Sequence, residues 1–139
     1  MKLKDIMTDD VHAVHIRDTA TRAAKIMRKH DIGILPVLDE NEDLVGAVTD
    51  RDIAVRAVAN GTDPIATQVR AIMTRNLNTC DVEQTPEDAA QCMQNRQIRR
   101  LFVVDGDKKK LRGVVGLQDL MQAENGHSLV QDTVMHVVA

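Results

Sequence analysis

The chain has 139 residues, of which 43% are hydrophobic and 28% charged, a composition typical of a folded globular protein rather than a disordered one. Its net charge of −3 and its single aromatic residue, Phe102, argue against nucleic acid as a partner, because that role needs a basic surface and stacking side chains. No segment approaches the ~18 apolar residues of a membrane span, and the opening MKLKDIMTDD is too polar for a signal peptide. We therefore expect a cytoplasmic protein without a membrane partner.

Few residues suggest metal binding or redox chemistry. Cys80 and Cys92 are too few for a secreted disulfide framework and lack zinc-ligand spacing, so we expect both to be buried hydrophobes. His12 and His15 lie three positions apart on a predicted strand and would point to opposite faces. We predict no metal site.

The second half of the sequence repeats the first, with one extra position inserted in a turn of the second copy. Ile6-Met7-Thr8 falls on Ile72-Met73-Thr74, and Gly46 and Asp52 fall on Gly113 and Asp119. A period of this length indicates two supersecondary units, each unable to bury its apolar face alone. The two copies are therefore expected to pack on each other.

In chain order, each copy begins with a short strand, at His12 to Ile16 or at Asn78 to Val82. A helix follows, capped by Thr19 in the first copy and by Thr85, with Pro86 next to it, in the second. Two strands joined by a polar turn come next, ILPVLD with LVGAVT and then RLFVVD with LRGVVG. A last helix follows each pair, and in the first copy we expect it to end at Asn60-Gly61.

The predicted fold is α/β (α+β), with two pseudo-symmetric β-α-β-β-α repeats packed sheet to sheet. The boundaries are 1–60 for the first repeat, 61–69 for a linker, 70–124 for the second repeat and 125–139 for a tail. The tail contains apolar residues that would cover a core edge or form an oligomer contact: Leu129, Val130, Val134, Val137 and Val138. We also predict a homodimer, because alanine-rich helical faces allow close approach but bury little area within one chain: Ala20, Ala23, Ala24, Ala89 and Ala90.

The repeated turn, GAVTDRDI in the first copy and GVVGLQDL in the second, has two interpretations. Thr49 and Asp52 have the spacing of a helix capping box, which is a structural role. A carboxylate at the end of a strand can also accept both hydroxyls of a ribose, next to helix amides that hold phosphate. In the second copy, Gly116 replaces the threonine.

The paired Ile-Met-Thr segments, the strands LPVLD and LFVVD, and the turn motif together resemble tandem cystathionine-β-synthase (CBS) domains, a Bateman module. The resemblance covers about residues 3–123 and extends to small stand-alone bacterial CBS-pair proteins. It implies a regulatory module without catalytic activity that binds AMP, ADP, ATP or S-adenosylmethionine and requires no cofactor.

The resemblance also implies two ligand sites of unequal character. The first would use Ile34, Leu35, Pro36, Thr49, Arg51, Asp52 and Leu77. The second would use Val11, His12, Ala13, Arg99, Arg100, Leu101, Gly116 and Asp119. At the second site the family pattern has Ser or Thr where this chain has Gly116, and the paired guanidinium groups of Arg99 and Arg100 would compensate at the phosphate.

Two other functional classes remain as alternatives. An enzyme is disfavoured, because the chain has a single serine, Ser128, no G-x-S-x-G elbow, no P-loop and no G-x-G-x-x-G motif. A ligand-free, stress-type module that dimerises and binds an unidentified protein target fits the same sequence. The two binding hypotheses differ in whether Asp52 and Asp119 face an open cleft.

Overall fold

The computed structural model describes residues 1–137 and divides into two compact units. His12–Leu77 forms the continuous unit, and Met1–Val11 together with the chain from Asn78 onward forms the split unit. The elements are α1 (Leu3–Ile6), β1 (Val14–His15), α2 (Ala20–His30), β2 (Ile34–Leu38), β3 (Leu44–Thr49), α3 (Asp50–Asp52), a π-helix (Ile53–Val58), α4 (Val69–Ile72), β4 (Thr79–Asp81), α5 (Pro86–Arg96), β5 (Arg100–Asp105), a 3-10 turn (Gly106–Lys108), β6 (Lys110–Gly116), α6 (Leu117–Leu120) and α7 (Gly126–His136).

Each unit contains one three-stranded sheet, and the order of elements predicted for each repeat is confirmed. In the continuous unit β1 pairs in parallel with β2, which pairs antiparallel with β3. In the split unit β4, β5 and β6 repeat this arrangement. Each sheet has its own core, which is formed by apolar residues of its strands together with apolar residues of the helix that covers it.

The predicted helix starts are confirmed by their hydrogen bonds. The Thr19 hydroxyl accepts from the Arg22 amide at 3.1 Å. Thr85 and Asp88 form a reciprocal capping box with Pro86 at the first helical position. Both α2 and α5 end at a residue in the left-handed region, which stops the helix and turns the chain into the next strand.

The helix predicted after the first turn has a different form from the one expected. α3 makes one turn, and the chain continues as a π-helix over Ile53–Val58 instead of an α-helix running to Asn60. In the second copy, α6 is a single short turn. Local periodicity cannot separate a π-helix from an α-helix, because the two differ by a single step in the hydrogen-bond register.

The alanine residues that motivated the homodimer are mostly not available to a partner. Ala20, Ala23 and Ala89 are fully buried and Ala90 is 1% exposed, whereas Ala24 is exposed. The expectation that these faces bury little area within one chain is therefore wrong. Their small side chains let the helices approach their own sheets closely.

The tail packs on the core of the split unit. Leu129 and Val130 contact that core, and Val137 is buried. The buried Thr133 receives a hydrogen bond from Gln94 on α5 at 3.3 Å. Val134 stays 47% exposed, and Val138 lies outside the described residues.

The two cysteines lie in the same core, with Cys80 on β4 and Cys92 on α5. Burial raises the pKa of the Cys80 thiol from its ordinary value of 9.0 to about 12, and the neighbouring Cys92 thiol adds to this rise. At pH 8 we expect iodoacetamide to modify the half-buried Cys92 and to leave Cys80 intact, as peptide mass spectrometry would show. Equal modification of both thiols would contradict this burial.

The same shift predicts how stability depends on alkaline pH. Between pH 9 and pH 12 the unfolded thiol is deprotonated while the folded thiol keeps its proton. The unfolded state then binds fewer protons, so the free energy of unfolding should fall as pH rises through this window. The free energy of unfolding of Cys80→Ala, measured by urea titration, should fall less steeply with pH across that range than that of the wild type.

Candidate functional site

The first glycine–aspartate turn forms a complete capping box. The Asp52 amide donates to the Thr49 hydroxyl at 3.0 Å, and the Thr49 amide donates to Asp52 Oδ2 at 3.0 Å. β3 ends at Thr49 and α3 begins directly after it, so Asp52 is fixed at the third helical position. The structural interpretation of the Thr49–Asp52 spacing is confirmed.

The second turn contains half of this arrangement. The Gly116 amide donates to Asp119 Oδ2 at 2.7 Å, but glycine has no hydroxyl to accept from the Asp119 amide. A Cβ at Gly116 would meet no heavy atom closer than 3.7 Å, the nearest being Arg100 Cγ and Gln118 Oε1. There is therefore space for a larger residue at this position. The glycine removes only the hydroxyl that would cap the helix.

A threonine from an Ile-Met-Thr segment also binds each carboxylate, and sequence reasoning missed both threonines. In the continuous unit the Thr74 hydroxyl donates to Asp52 at 3.3 Å. In the split unit Thr8 donates to Asp119 Oδ1 at 3.3 Å. The signal was the repeated motif itself, since Thr8 and Thr74 occupy equivalent positions in the two copies.

The Ile-Met-Thr segments cross the strands that lead into the turns. Thr74 exchanges two backbone hydrogen bonds with Ala47, and Thr8 exchanges two with Val114, all of 2.8 to 2.9 Å. A Cβ at Gly46 would lie 2.8 Å from Met73 Sδ and 2.9 Å from the Thr74 carbonyl oxygen. The glycine of the motif is thus required by a close backbone approach.

Arg56, on the π-helix, makes the first turn different from the second. Its Nη1 donates to the carbonyl oxygens of Ile72 at 3.3 Å and Met73 at 3.1 Å. Its Nε lies 3.7 Å from Asp52 Oδ1, forming an ion pair with a carboxylate that is 8% exposed. The guanidinium therefore contacts both the aspartate and the segment that carries Thr74.

The remaining residues predicted for the first site are divided between the interior and the surface. Ile34 pairs with Thr49 across the β2–β3 ladder and is half-buried. The side chains of Leu35 and Pro36 are buried in the continuous unit, while Arg51 is exposed. Leu77 is half-buried at the end of the same unit.

At the second site, the structure brings together the residues of the β5–β6 ladder. Arg100 pairs with Gly116, and its side chain is exposed, as is that of Arg99. Leu101 is 1% exposed and belongs to the core. Val11 belongs to the split unit with Asp119. The other two residues predicted there, His12 and Ala13, belong to the continuous unit, and their participation stays a prediction.

A surface groove of about 390 Å³ has none of the predicted ligand residues in its lining, which consists of Ala20, Thr21, Ala24, Lys25, Arg28, Ile53 and Pro64. Within residues 1–137, no group of three or more His, Cys, Asp or Glu side chains could hold a metal ion. No helix in this part of the chain is long and apolar enough to cross a membrane.

Comparison with known proteins identifies the family. The family model of the CBS domain matches residues 3–58 and again residues 69–126. The chain belongs to the CBS domain family and contains two copies of the domain. The CBS domain-containing protein YhcV of Bacillus subtilis is 41% identical over 118 residues, which are 85% of this chain and 81% of that protein. Hypoxic response protein 1 of Mycobacterium tuberculosis is 32% identical over 92% of this chain and 88% of its own length.

Solved structures of CBS pairs share the fold. The crystal structure of Hypoxic Response Protein I with two coordinated zinc ions has a TM-score of 0.76 at 31% identity, covering 88% of this chain and 98% of that one. The CBS domain pair of protein MJ0100, in complex with 5′-methylthioadenosine and S-adenosyl-L-methionine, has a TM-score of 0.74 at 32% identity, covering 91% and 98%.

Proposed function

We propose that this CBS pair is a regulatory module without catalytic activity, which binds an adenosyl ligand such as AMP, ADP, ATP or S-adenosylmethionine through Asp52 and Asp119. It acts as a homodimer in the cytoplasm and transmits ligand occupancy to a protein target. The relative MJ0100 was crystallised with two adenosyl compounds, which supports this ligand class for a chain of the same fold.

The duplicated carboxylate is the observation that carries the proposal. In each unit one aspartate oxygen is fixed by a backbone amide at the end of a strand, and a threonine hydroxyl donates to the carboxylate over a longer distance. An ionised carboxylate has about four acceptor positions, so further hydrogen bonds can form. Two adjacent ribose hydroxyls supply donors of suitable spacing.

Calorimetry on aspartate variants tests this function. We expect Asp52→Ala and Asp119→Ala each to weaken binding of AMP or S-adenosylmethionine at their own site by about tenfold or more, because each hydrogen bond to a charged acceptor contributes about 1.5–3 kcal/mol. The loss of stability should be about 1 kcal/mol, as for other helix caps.

Asp88→Ala is the matched control for loss of a cap. Asp88 accepts from the Thr85 amide at 3.0 Å in a capping box of the same type, on α5 rather than in a glycine–aspartate turn. It should lower stability by a similar amount and leave the affinity unchanged. Equal affinities in wild type, Asp52→Ala and Asp119→Ala would refute the proposed role of the aspartates.

A second candidate is a ligand-free module that binds another protein. It is favoured by the burial of both carboxylates, since Asp52 and Asp119 are each 6% exposed and already hydrogen-bonded.

The chain has no Trp or Tyr, so a retained adenine nucleotide would dominate its absorbance. A filtrate of unfolded protein without adenine, together with no thermal shift at millimolar AMP, ATP or S-adenosylmethionine, would favour this second function.

A further inference from the structure

The two aspartates differ in how much of their acceptor capacity is used. Asp52 accepts from the Thr49 amide and the Thr74 hydroxyl, and its Oδ1 also faces the Arg56 guanidinium. Asp119 accepts from the Gly116 amide and the Thr8 hydroxyl. When the two copies are aligned with Asp52 on Asp119, Ala123 stands where the first copy has Arg56, and its methyl group donates no hydrogen bond.

Arg56 also binds the backbone of the Ile72–Thr74 segment. The Ile72 and Met73 carbonyls that it binds lie at the end of α4, where the α-helix leaves its last carbonyl groups without intrahelical partners. The same segment continues through Thr74 toward Leu77, one of the residues predicted to line the first ligand site. A single planar group thus donates to two carbonyl oxygens of the segment and lies within ion-pair distance of the carboxylate.

We propose that Arg56 is a positioning residue that acts as a latch on the first ligand site. Arg56 links Asp52 to the Ile72–Thr74 segment. A ribose can therefore form hydrogen bonds with the Asp52 oxygens only after the guanidinium has moved away. Asp119 has alanine at the corresponding position and has no such latch. This inference rests on the proposed adenosyl-binding function and adds an order of occupancy, with the Asp119 site filling first.

Amide hydrogen exchange tests the latch without any ligand. In Arg56→Ala, the Thr74 and Ala47 amides, which bond each other's carbonyl groups, should exchange about tenfold faster than in the wild type. The equivalent Thr8 and Val114 amides of the split unit should change less than twofold. Thr19→Ala, which removes the α2 cap, controls for general destabilisation of the continuous unit.

Adenosine is the binding probe, because it presents the ribose hydroxyls without phosphate. In an Asp119→Ala background, Arg56→Ala should bind adenosine at the first site about fivefold more tightly, the ratio expected from removing one partly exposed ion pair. Arg56→Gln keeps an amide donor for the carbonyl groups but loses the charge. Its affinity for adenosine should lie between that of the protein with Arg56 and that of Arg56→Ala.

Each result has a defined consequence. Unchanged exchange at Thr74 in Arg56→Ala would show that Arg56 does not hold the segment, whether or not a ligand binds. Faster exchange combined with equal or weaker adenosine binding would mean that Arg56 supports the site, and the latch would be overturned. No adenosine binding in any variant or the wild type would overturn the proposed order of occupancy, whereas the proposed function would still be decided by calorimetry with AMP and S-adenosylmethionine.

Discussion

Gly46→Ala should lower the free energy of unfolding by about 1–3 kcal/mol, the usual cost of overpacking, although it adds a single methyl group. The new Cβ would lie 2.8 Å from Met73 Sδ and 2.9 Å from the Thr74 carbonyl oxygen. That backbone oxygen cannot move without disturbing its bond to the Ala47 amide. Urea unfolding followed by far-UV circular dichroism measures the change.

Gly116→Ala is the matched control for Gly46→Ala. It has the same chemistry at another strand glycine, but its Cβ would meet nothing closer than 3.7 Å. Because alanine reduces the entropy of the unfolded chain, we expect the free energy of unfolding to stay the same or to rise by up to about 1 kcal/mol. Similar losses in both variants would mean that the Ile-Met-Thr segment does not press on Gly46.

Leu101→Ala should cause the largest loss of stability, about 2–5 kcal/mol, as for other fully buried leucines. Leu101 is 1% exposed in the core of the split unit, and its truncation would leave a cavity in the core cluster that also contains Met93 and Leu120. This effect separates the two roles considered for Leu101, because a residue that only lines a ligand site would lose affinity without losing stability. Chemical unfolding with and without AMP measures both quantities.

Leu117→Ala provides the comparison in the same unit. Leu117 is half-buried and packs against the edge of the core, so its truncation should cost clearly less than that of Leu101. If Leu101→Ala unfolds at the wild-type urea concentration but no longer responds to AMP, Leu101 faces a ligand and our assignment of it to the core is wrong.

The sequence by itself determined the duplicated order of elements, because strand alternation, helix caps and turn residues are local signals that recur at a regular spacing. It also located the glycine–aspartate turn and the capping box of Thr49 and Asp52, whose spacing defines their geometry. Family membership followed from the same repeated motifs, which the CBS domain model matches twice.

Tertiary structure alone decided which segments meet. Thr74 reaches Asp52, and Thr8 reaches Asp119, across stretches of chain far longer than any local pattern, so no motif could pair them. The burial of Leu35 and Leu101, the contact of Arg56 with Ile72 and Met73, and the close approach above Gly46 depend likewise on how the chain crosses its sheets. Hydrophobic and hydrogen-bond partners are chosen by three-dimensional proximity, whereas sequence periodicity records only which face of an element is apolar.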